Sequence, residues 1–291
     1  MALGAAQEYF GGDGQLPGDA EIPPYSGVAT SSDLMSLYLY GDPHHGMMAH
    51  KAETGANHDL KISIRNHKKS LEYLSSCAEP GSSALLITVG DTFHQDNTYN
   101  QTNRSKHILD VDTRWDKLVR DVAALWVWKV EHLLLTHHHV FVEIIRGNHD
   151  DHSAVALQVV LWYAFRDHPH VSINISPAYL HAHVFGQNFF GFWHGHTVKE
   201  KDVSDVFERD FPELWQATKH RHLYQGHLHH RFVYRDLKNA HIECLRTLAT
   251  ADSYAAAGGY RSFSGAKMDT FHNTAGHLTS HYAPLDLIWA Q

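Results

Sequence analysis

Cysteine is scarce. Cys77 and Cys244 are the only two in 291 residues, too few for a disulfide framework, so a reducing cytoplasm is the expected compartment. The Asn-x-Ser/Thr triplets at Asn100, Asn103 and Asn174 are then incidental. Long apolar runs are missing: residues 84–89 form one of the longest, far short of the ~20 a membrane span needs. No basic, apolar leader opens MALGAAQEYFGG, and no export signal is expected. Positive charge is in deficit, with 24 Lys and Arg against 32 Asp and Glu and a formal charge of −8. Such a chain does not draw in polyphosphates over long range, so bulk charge gives no support to a duplex partner. What remains, 43% hydrophobic and 19% charged, is the composition of a globular protein long enough to build a core without cross-links.

Histidine is the excess: 28 residues, spread along the chain. Neutral imidazole is the commonest metal ligand and an acid–base group near pH 7. One active site uses only a handful, so most of the 28 are surface or core residues.

Residues 1–33 are rich in Gly, Pro and Ser without periodicity and read as a flexible lead-in. Residues 35–40 alternate as a strand and stop at Gly41-Asp42-Pro43. Helical spacing covers 62–77, and 84–89 reads as a buried parallel strand. A polar loop from Thr92 to about Asp110 leads to an amphipathic helix over 115–135, a buried strand over 140–145 and a helix over 153–165. This β-α alternation predicts a parallel sheet covered by helices. The second half predicts short strands at 171–175, 180–185, 189–193, 222–225, 231–234 and 242–248, interrupted by one helix over 203–217. The tail, 249–291, is expected to pack on the core, with Tyr254, Tyr260 and Phe263 and a closing strand at 285–289. Without a Pro/Ser linker, 34–291 reads as one domain with two facing sheets.

Polar side chains suited to metal binding recur where strands are expected to end. They are Asp42-Pro43-His44, Gly90-Asp91-Thr92-Phe93-His94, Gly147-Asn148-His149-Asp150, Trp193-His194-Gly195-His196 and Gly226-His227-Leu228-His229. Each alone could be a turn or a helix cap. Five in order, at the strand ends where open α/β sheets assemble sites, point to a common purpose. Carboxylate, imidazole and amide oxygen suit divalent ions such as Mn²⁺, Fe²⁺ or Zn²⁺. Two four-coordinate ions sharing one carboxylate need seven ligands, and the motifs supply Asp42, His44, Asp91, Asn148, His194, His227 and His229. A pair of ions ~3.5–4 Å apart clamps a phosphoryl oxygen and supplies a bridging hydroxide for in-line attack.

The order of motifs over about residues 35–235 resembles the calcineurin-like metallophosphoesterase superfamily. The resemblance implies a four-layer α/β/β/α sandwich, with two mixed sheets facing each other and helices outside. It implies a first ion on Asp42, His44 and His229, a second on Asn148, His194 and His227, and Asp91 shared. His194 precedes Gly195 as the family's ligand does; His196 and His230 are extra. Two divalent ions, Mn²⁺ foremost with Fe²⁺, Zn²⁺ or Mg²⁺ as alternatives, are the implied cofactors. The catalytic set is His149, which would stabilise the transition state or protonate the leaving oxygen, Asp150 to orient it, and His94. Gly90-Asp91-Thr92-Phe93-His94 looks like the second motif of the double-strand-break repair nucleases, which favours a phosphodiester in nucleic acid or a nucleotide. The loop with Leu109-Asp110-Val111-Asp112-Thr113-Arg114-Trp115 also looks like bacteriophage phosphoesterases. Its Arg104, Lys106 and Arg114 are candidates for substrate phosphate or for plain solvated surface. Only about 55 residues follow Asp236, too few for the nucleases' DNA-capping domain. A phosphomonoesterase acting on a phosphoprotein or a small metabolite is the alternative, and a non-enzymatic binding module a third reading.

Overall fold

Leu37 and Leu39 of strand β1 (Leu34–Tyr40) face one way and Tyr38 and Tyr40 the other, and both sides are buried, as a central strand requires. The molecule is described by a computed structural model over residues 31–229, 232–237, 240–251 and 263–289. Strands β2 (Ser83–Thr88), β3 (His139–Ile144) and β4 (Val171–Ile173) run parallel from β1. On its other edge β1 pairs antiparallel with β10 (Gly265–His272), which pairs with β11 (Gly276–Pro284). The sheet order is β11-β10-β1-β2-β3-β4.

Helices α1 (Lys51–Thr54), α2 (Leu60–Ser76), α3 (Trp115–Leu134) and α4 (Ser153–Phe165) lie in the connections between these strands. Asp59 caps α2, its carboxylate accepting from the Ile62 amide at 2.6 Å, which satisfies a donor the helix start leaves open. Leu71, Leu74, Leu118, Val122, Trp126, Leu157 and Leu161 of these helices pack on Tyr38, Leu86 and Val142 of the sheet.

The second sheet contains β5 (Leu180–Phe185), β6 (Asn188–Trp193), β7 (His220–Gln225), β8 (Phe232–Leu237) and β9 (Ala240–Cys244), in the order β5-β6-β7-β9-β8. Its inner face brings Phe190, Phe192 and Tyr224 against Leu37, Leu85, Ile87 and Phe271 of the first sheet. Removing one such ring, as in Phe192→Ala, costs about 3–5 kcal/mol. Outside, Val203 and Phe207 of α5 (Glu200–Asp210) and Trp215 of α6 (Pro212–Ala217) cover Phe189, Trp193 and Leu223. The layers are therefore helix, sheet, sheet, helix, and both sheets are mixed.

Two expectations are corrected. Residues 203–217 are not one helix: Phe211 leaves helical geometry (φ −129°, ψ 51°) and Pro212 begins α6, the position where a missing N–H does no harm. Residues 285–289 are not a closing strand but a one-turn helix, α7 (Leu285–Trp289). The apolar alternation there misleads, because Ile288 is fully buried while Leu287 is exposed, and Lys69 Nζ donates to the Ile288 carbonyl at 3.3 Å. The described part of the tail packs on the core as expected, and through β10 and β11 it extends the first sheet. Phe263 is exposed. Tyr254, Tyr260, His230 and all of the expected lead-in except residues 31–33 lie outside the described residues. Among the described residues no helix is long and apolar enough to cross a membrane.

Candidate metal centre

Five strands aim their ends at one place. Asp42 and His44 follow β1, Asp91 follows β2, Asn148 and His149 follow β3, His194 follows β6, and His227 and His229 follow β7. The turns are sharp: Asp42, His44, Asp91, His227 and His229 all have positive φ, between 42° and 69°. The only other described non-glycine residues with positive φ are Asn100 and Lys106. Left-handed backbone costs a non-glycine residue of order 1–3 kcal/mol and concentrates at functional sites.

Two glycines make the convergence possible. A Cβ on Gly147 would run into the Asp91 carboxylate, and one on Gly226 would come within 2.5 Å of Asp42 Oδ2. The carboxylates lie flat against glycine backbone and accept from neighbouring amides. Asp42 takes the His227 amide on both oxygens, at 2.8 and 3.0 Å, and Asp91 Oδ1 takes the His149 amide at 2.9 Å.

The remaining ligand atoms fall into two adjoining groups. In the first, donor atoms of Asp42, His44 and His229 lie within 4.8 Å of one another; in the second, those of Asp91, His194 and His227 do. His44 Nε2 stands 3.0 Å from His229 Nε2, and His229 Nε2 stands 3.7 Å from Asp42 Oδ1. His194 Nε2 is 3.1 Å from Asp91 Oδ2 and 3.0 Å from Asn148 Oδ1. Asp91 Oδ2 also lies 3.9 Å from His44 Nε2, so it reaches both groups. Donors bound to one cation at about 2.0–2.2 Å stand roughly 3–3.6 Å apart, and these separations are close to that.

Protonation suits the same purpose. His194 Nδ1 sits 2.9 Å from the Val89 carbonyl, which fixes a proton there and turns Nε2 to the ligand group. Burial holds His44 well below the usual imidazole range and His227 down at about 4, leaving neutral rings able to ligate. Burial raises Asp42. Burial would raise Asp91 too, but the His194 and His149 charges outweigh it and hold Asp91 low. His194 moves the other way: Asp91 and Asp42 overcome its burial and drive it up to about 9. Two buried carboxylates faced by imidazoles and backbone amides, with no lysine or arginine pairing with them among the described residues, favour a bound positive charge, and the N and O donors fit divalent cations.

His149 and His94 stand beside the first group. The His149 ring is 4.8 Å from the His44 ring and stacks on His94 at 5.3 Å. His149 Nδ1 bonds the His94 carbonyl at 2.8 Å, leaving Nε2 for a substrate. His94 Nδ1 approaches His44 Nδ1 at 3.2 Å, while its buried Nε2 has no partner.

Asp150 does not do what its position in sequence implied. It is fully buried and turned from the His149 ring toward backbone, accepting from Thr92 (2.7 Å), Phe93 (3.3 Å) and Gly147 (2.8 Å). It ties the β2 and β3 loops together, and burial with the Asp91 charge pushes it up to about 8.

Of the loop cations, Arg104 reaches the site's edge, with Nη2 3.5 Å from the Tyr179 hydroxyl. Lys106 and Arg114 are exposed, and among the described contacts none joins them to the ligand side chains.

No protein-family model matches the chain, and no curated protein matches its sequence. Solved structures similar to it include a dimetal phosphatase from Danio rerio, with 8% identity, 87% of this chain and 99% of that one covered, and a TM-score of 0.41. A 5′-nucleotidase precursor from Thermus thermophilus has 11% identity, 86% and 54% coverage and a TM-score of 0.40. A conserved protein from Streptococcus pneumoniae, described as a predicted phosphoesterase, has 9% identity, 86% and 98% coverage and a TM-score of 0.35.

Sequence reasoning missed two anchors of the site. Asp96 is a buried carboxylate that accepts from the amides of His152 (2.8 Å) and Ser153 (2.9 Å) and from Asn103 Nδ2 (3.0 Å). It caps α4 from a distance and pins the long loop beside His149. Tyr179 lies under the Arg146 guanidinium, 4.5 Å from its ring centre, and donates to Asp151 Oδ1 at 2.8 Å. Asp96 stands in a polar loop where an acidic residue is unremarkable, and nothing near Tyr179 in sequence marks it.

Proposed function

We propose that the chain is a dinuclear-metal-dependent phosphodiesterase, and that its substrate is a nucleic acid or nucleotide. The observation that carries the reading is Asp91, whose Oδ2 reaches one histidine of each ligand group. In this reading Asp42, His44, Asp91 and His229 hold one divalent ion, Mn²⁺ foremost, and Asp91, Asn148, His194 and His227 hold the other. Such a pair supplies electrostatic clamping of phosphoryl oxygens and activation of water.

The protein's own groups do the rest. His149 Nδ1–H donates to the His94 carbonyl, which orients the ring with Nε2 toward the site; when Nε2 also carries a proton, the imidazolium can give it to a phosphoryl or leaving oxygen. Asp150 keeps the loops carrying Asp91 and His149 in register through three backbone amides. Two free cysteines suit a cytoplasmic setting.

The test is turnover by Mn²⁺-loaded protein of bis(p-nitrophenyl) phosphate against p-nitrophenyl phosphate. The diester is expected to be cleaved, and His149→Ala is expected to lower its kcat by ~10²–10⁴-fold while metal analysis shows both ions retained. Full activity in that variant removes His149 from the chemistry. His94→Ala distinguishes diester from monoester specificity. It is expected to lower diester cleavage at least ~10-fold more than monoester cleavage, a difference of about 1.4 kcal/mol. Equal losses, or a monoester preferred by the wild type, favour the phosphomonoesterase.

A further inference from the structure

Next to the second ligand group stands a third imidazole that holds no ligand position. The His196 ring is 5.2 Å from that of His194 and 6.2 Å from that of His227. Gly195, at φ +113°, makes the turn that carries both histidines to this side of the site. His196 Nδ1 is buried and has no hydrogen-bond partner, although a buried polar atom is normally satisfied.

Tyr179 stands edge-on to His196, with ring centres 5.6 Å apart and planes at 74°. One face of Tyr179 is covered by Arg146, which is itself occupied by Asp151 and the Pro177 carbonyl. The tyrosine therefore presents no open pair of faces on which a base could stack. Beyond it comes Arg104, exposed, with Nη2 3.5 Å from the Tyr179 hydroxyl.

Among the described ion pairs Arg120, Arg146, Arg166 and Arg209 each meet a carboxylate, and Arg104 meets none. In a chain of net charge −8, an arginine at the mouth of a site without an acidic partner has donors to spare. A guanidinium offers donors only, and a ring nitrogen offers one when it carries the proton. What the pair lacks is an acceptor with negative charge.

We propose that Arg104 and His196, with Tyr179 between them, form a subsite for a second phosphoryl group adjacent to the reacting one. The subsite rests on the phosphodiesterase reading and refines it: the substrate carries two neighbouring phosphoryl groups, as a polynucleotide strand or a dinucleoside polyphosphate does. His196 and Arg104 act as positioning residues and take no part in bond cleavage.

Binding is measured by calorimetry on the Ca²⁺-loaded protein, which makes the result independent of turnover. One arm compares thymidylyl-thymidine with and without a 5′-phosphate; the other compares 5′,5′-diadenosine diphosphate with 5′,5′-diadenosine monophosphate. The wild type is expected to bind the ligand with the additional phosphoryl group about tenfold more tightly in at least one arm, as one charge-assisted hydrogen bond provides. The arm that shows it identifies the source. In Arg104→Ala and His196→Ala the preference is expected to fall to threefold or less, with metal content unchanged, and Arg104→Lys is expected to restore part of it. Arg104 is exposed, so its removal leaves the fold intact even if His196→Ala does not. No preference in either arm, or a preference that survives Arg104→Ala, overturns the subsite. Failure of the Mn²⁺-loaded protein to cleave any diester, with the binding preference intact, overturns the phosphodiesterase reading and leaves the subsite standing.

Discussion

The space between the two sheets holds two clusters of buried carboxylates and histidines, and they have opposite fates. At one, Glu243 of β9 and Asp269 of β10 share Lys267, which bonds Glu243 and lies 2.9 Å from Asp269 Oδ2. The Tyr224 hydroxyl (3.0 Å) and Ser280 (2.6 Å) donate to Asp269 as well. Against its burial, hydrogen bonding to His277, the Lys267 charge and the Ser280 hydroxyl hold Asp269 down at about 2. At the other cluster, Asp42 and Asp91 are equally buried, but no lysine or arginine pairs with either among the described residues. Histidines and backbone amides surround them. One cluster carries its cation in the chain and is closed; the other also has two carboxylates, with imidazoles and backbone amides opposite and no lysine or arginine. Of the two, only the second carries non-glycine residues with positive φ. A count of acidic residues and histidines would treat the clusters alike, and a single ammonium separates a structural brace from a candidate metal centre.

The comparison breaks first at Asp91. In Asp91→Asn the amide oxygen can still accept from the His149 backbone, so the loop is expected to keep its shape. The shared negative charge is gone, however, and diester turnover is expected to fall by roughly 10³-fold or more, about 4 kcal/mol of transition-state stabilisation. Metal analysis should show at least one ion lost per chain. Retention of two ions would mean that the carboxylate is not shared.

Lys267→Met is the complementary cut. It strands two buried carboxylates, so the protein is expected to lose about 3–5 kcal/mol of stability in urea unfolding. Metal content and turnover per folded molecule should stay within about twofold. A variant as stable as the wild type would show the brace to be dispensable. One that lost its metals would show the two clusters to be coupled.

This contrast also explains what the sequence could and could not disclose. Strands β1, β2, β3 and β6 are legible because each is a largely apolar run with a glycine within three residues of its end, and the candidate ligands stand beside those glycines. The hairpin of β10 and β11 is not legible, because Lys267 and Asp269 share the inward face of β10 with Phe271. With charges on the buried face, the usual apolar alternation is lost, and only the lysine's two partners, one of them on another strand, make burial tolerable. Residues 285–289 err the other way, showing alternation where a single turn buries Ile288. Asp150 misleads because neighbours in sequence need not touch: the chain turns its carboxylate into the backbone of the β2 and β3 loops while His149 faces the site. Arg104, Tyr179 and His196 come from three separate segments, and no local pattern announces their meeting.

The smallest expected effect is a pH dependence confined to one of the two clusters. In the metal-free protein His194 is raised to about 9 from an unfolded value of about 6.5. Its contribution to stability is therefore fully present below about pH 6.5 and is lost as the pH rises through about 9. Lys267 is also raised, because Asp269 and Glu243 together outweigh its burial, but its unfolded value of about 10.4 leaves its contribution constant over that window. A ligating His194 must be neutral, so cation binding displaces its proton and is favoured as pH rises. Melting curves with Mn²⁺ and with chelator between pH 6.5 and 8.5 should diverge. The chelated protein loses a few degrees as the pH rises, with roughly 2–4 °C expected per kcal/mol for a chain of this size, and the metal-induced rise in Tm grows correspondingly. A shift in Tm that stayed constant across the window would mean that His194 binds metal without giving up a proton, and Asp91 would then need another partner to hold it ionised.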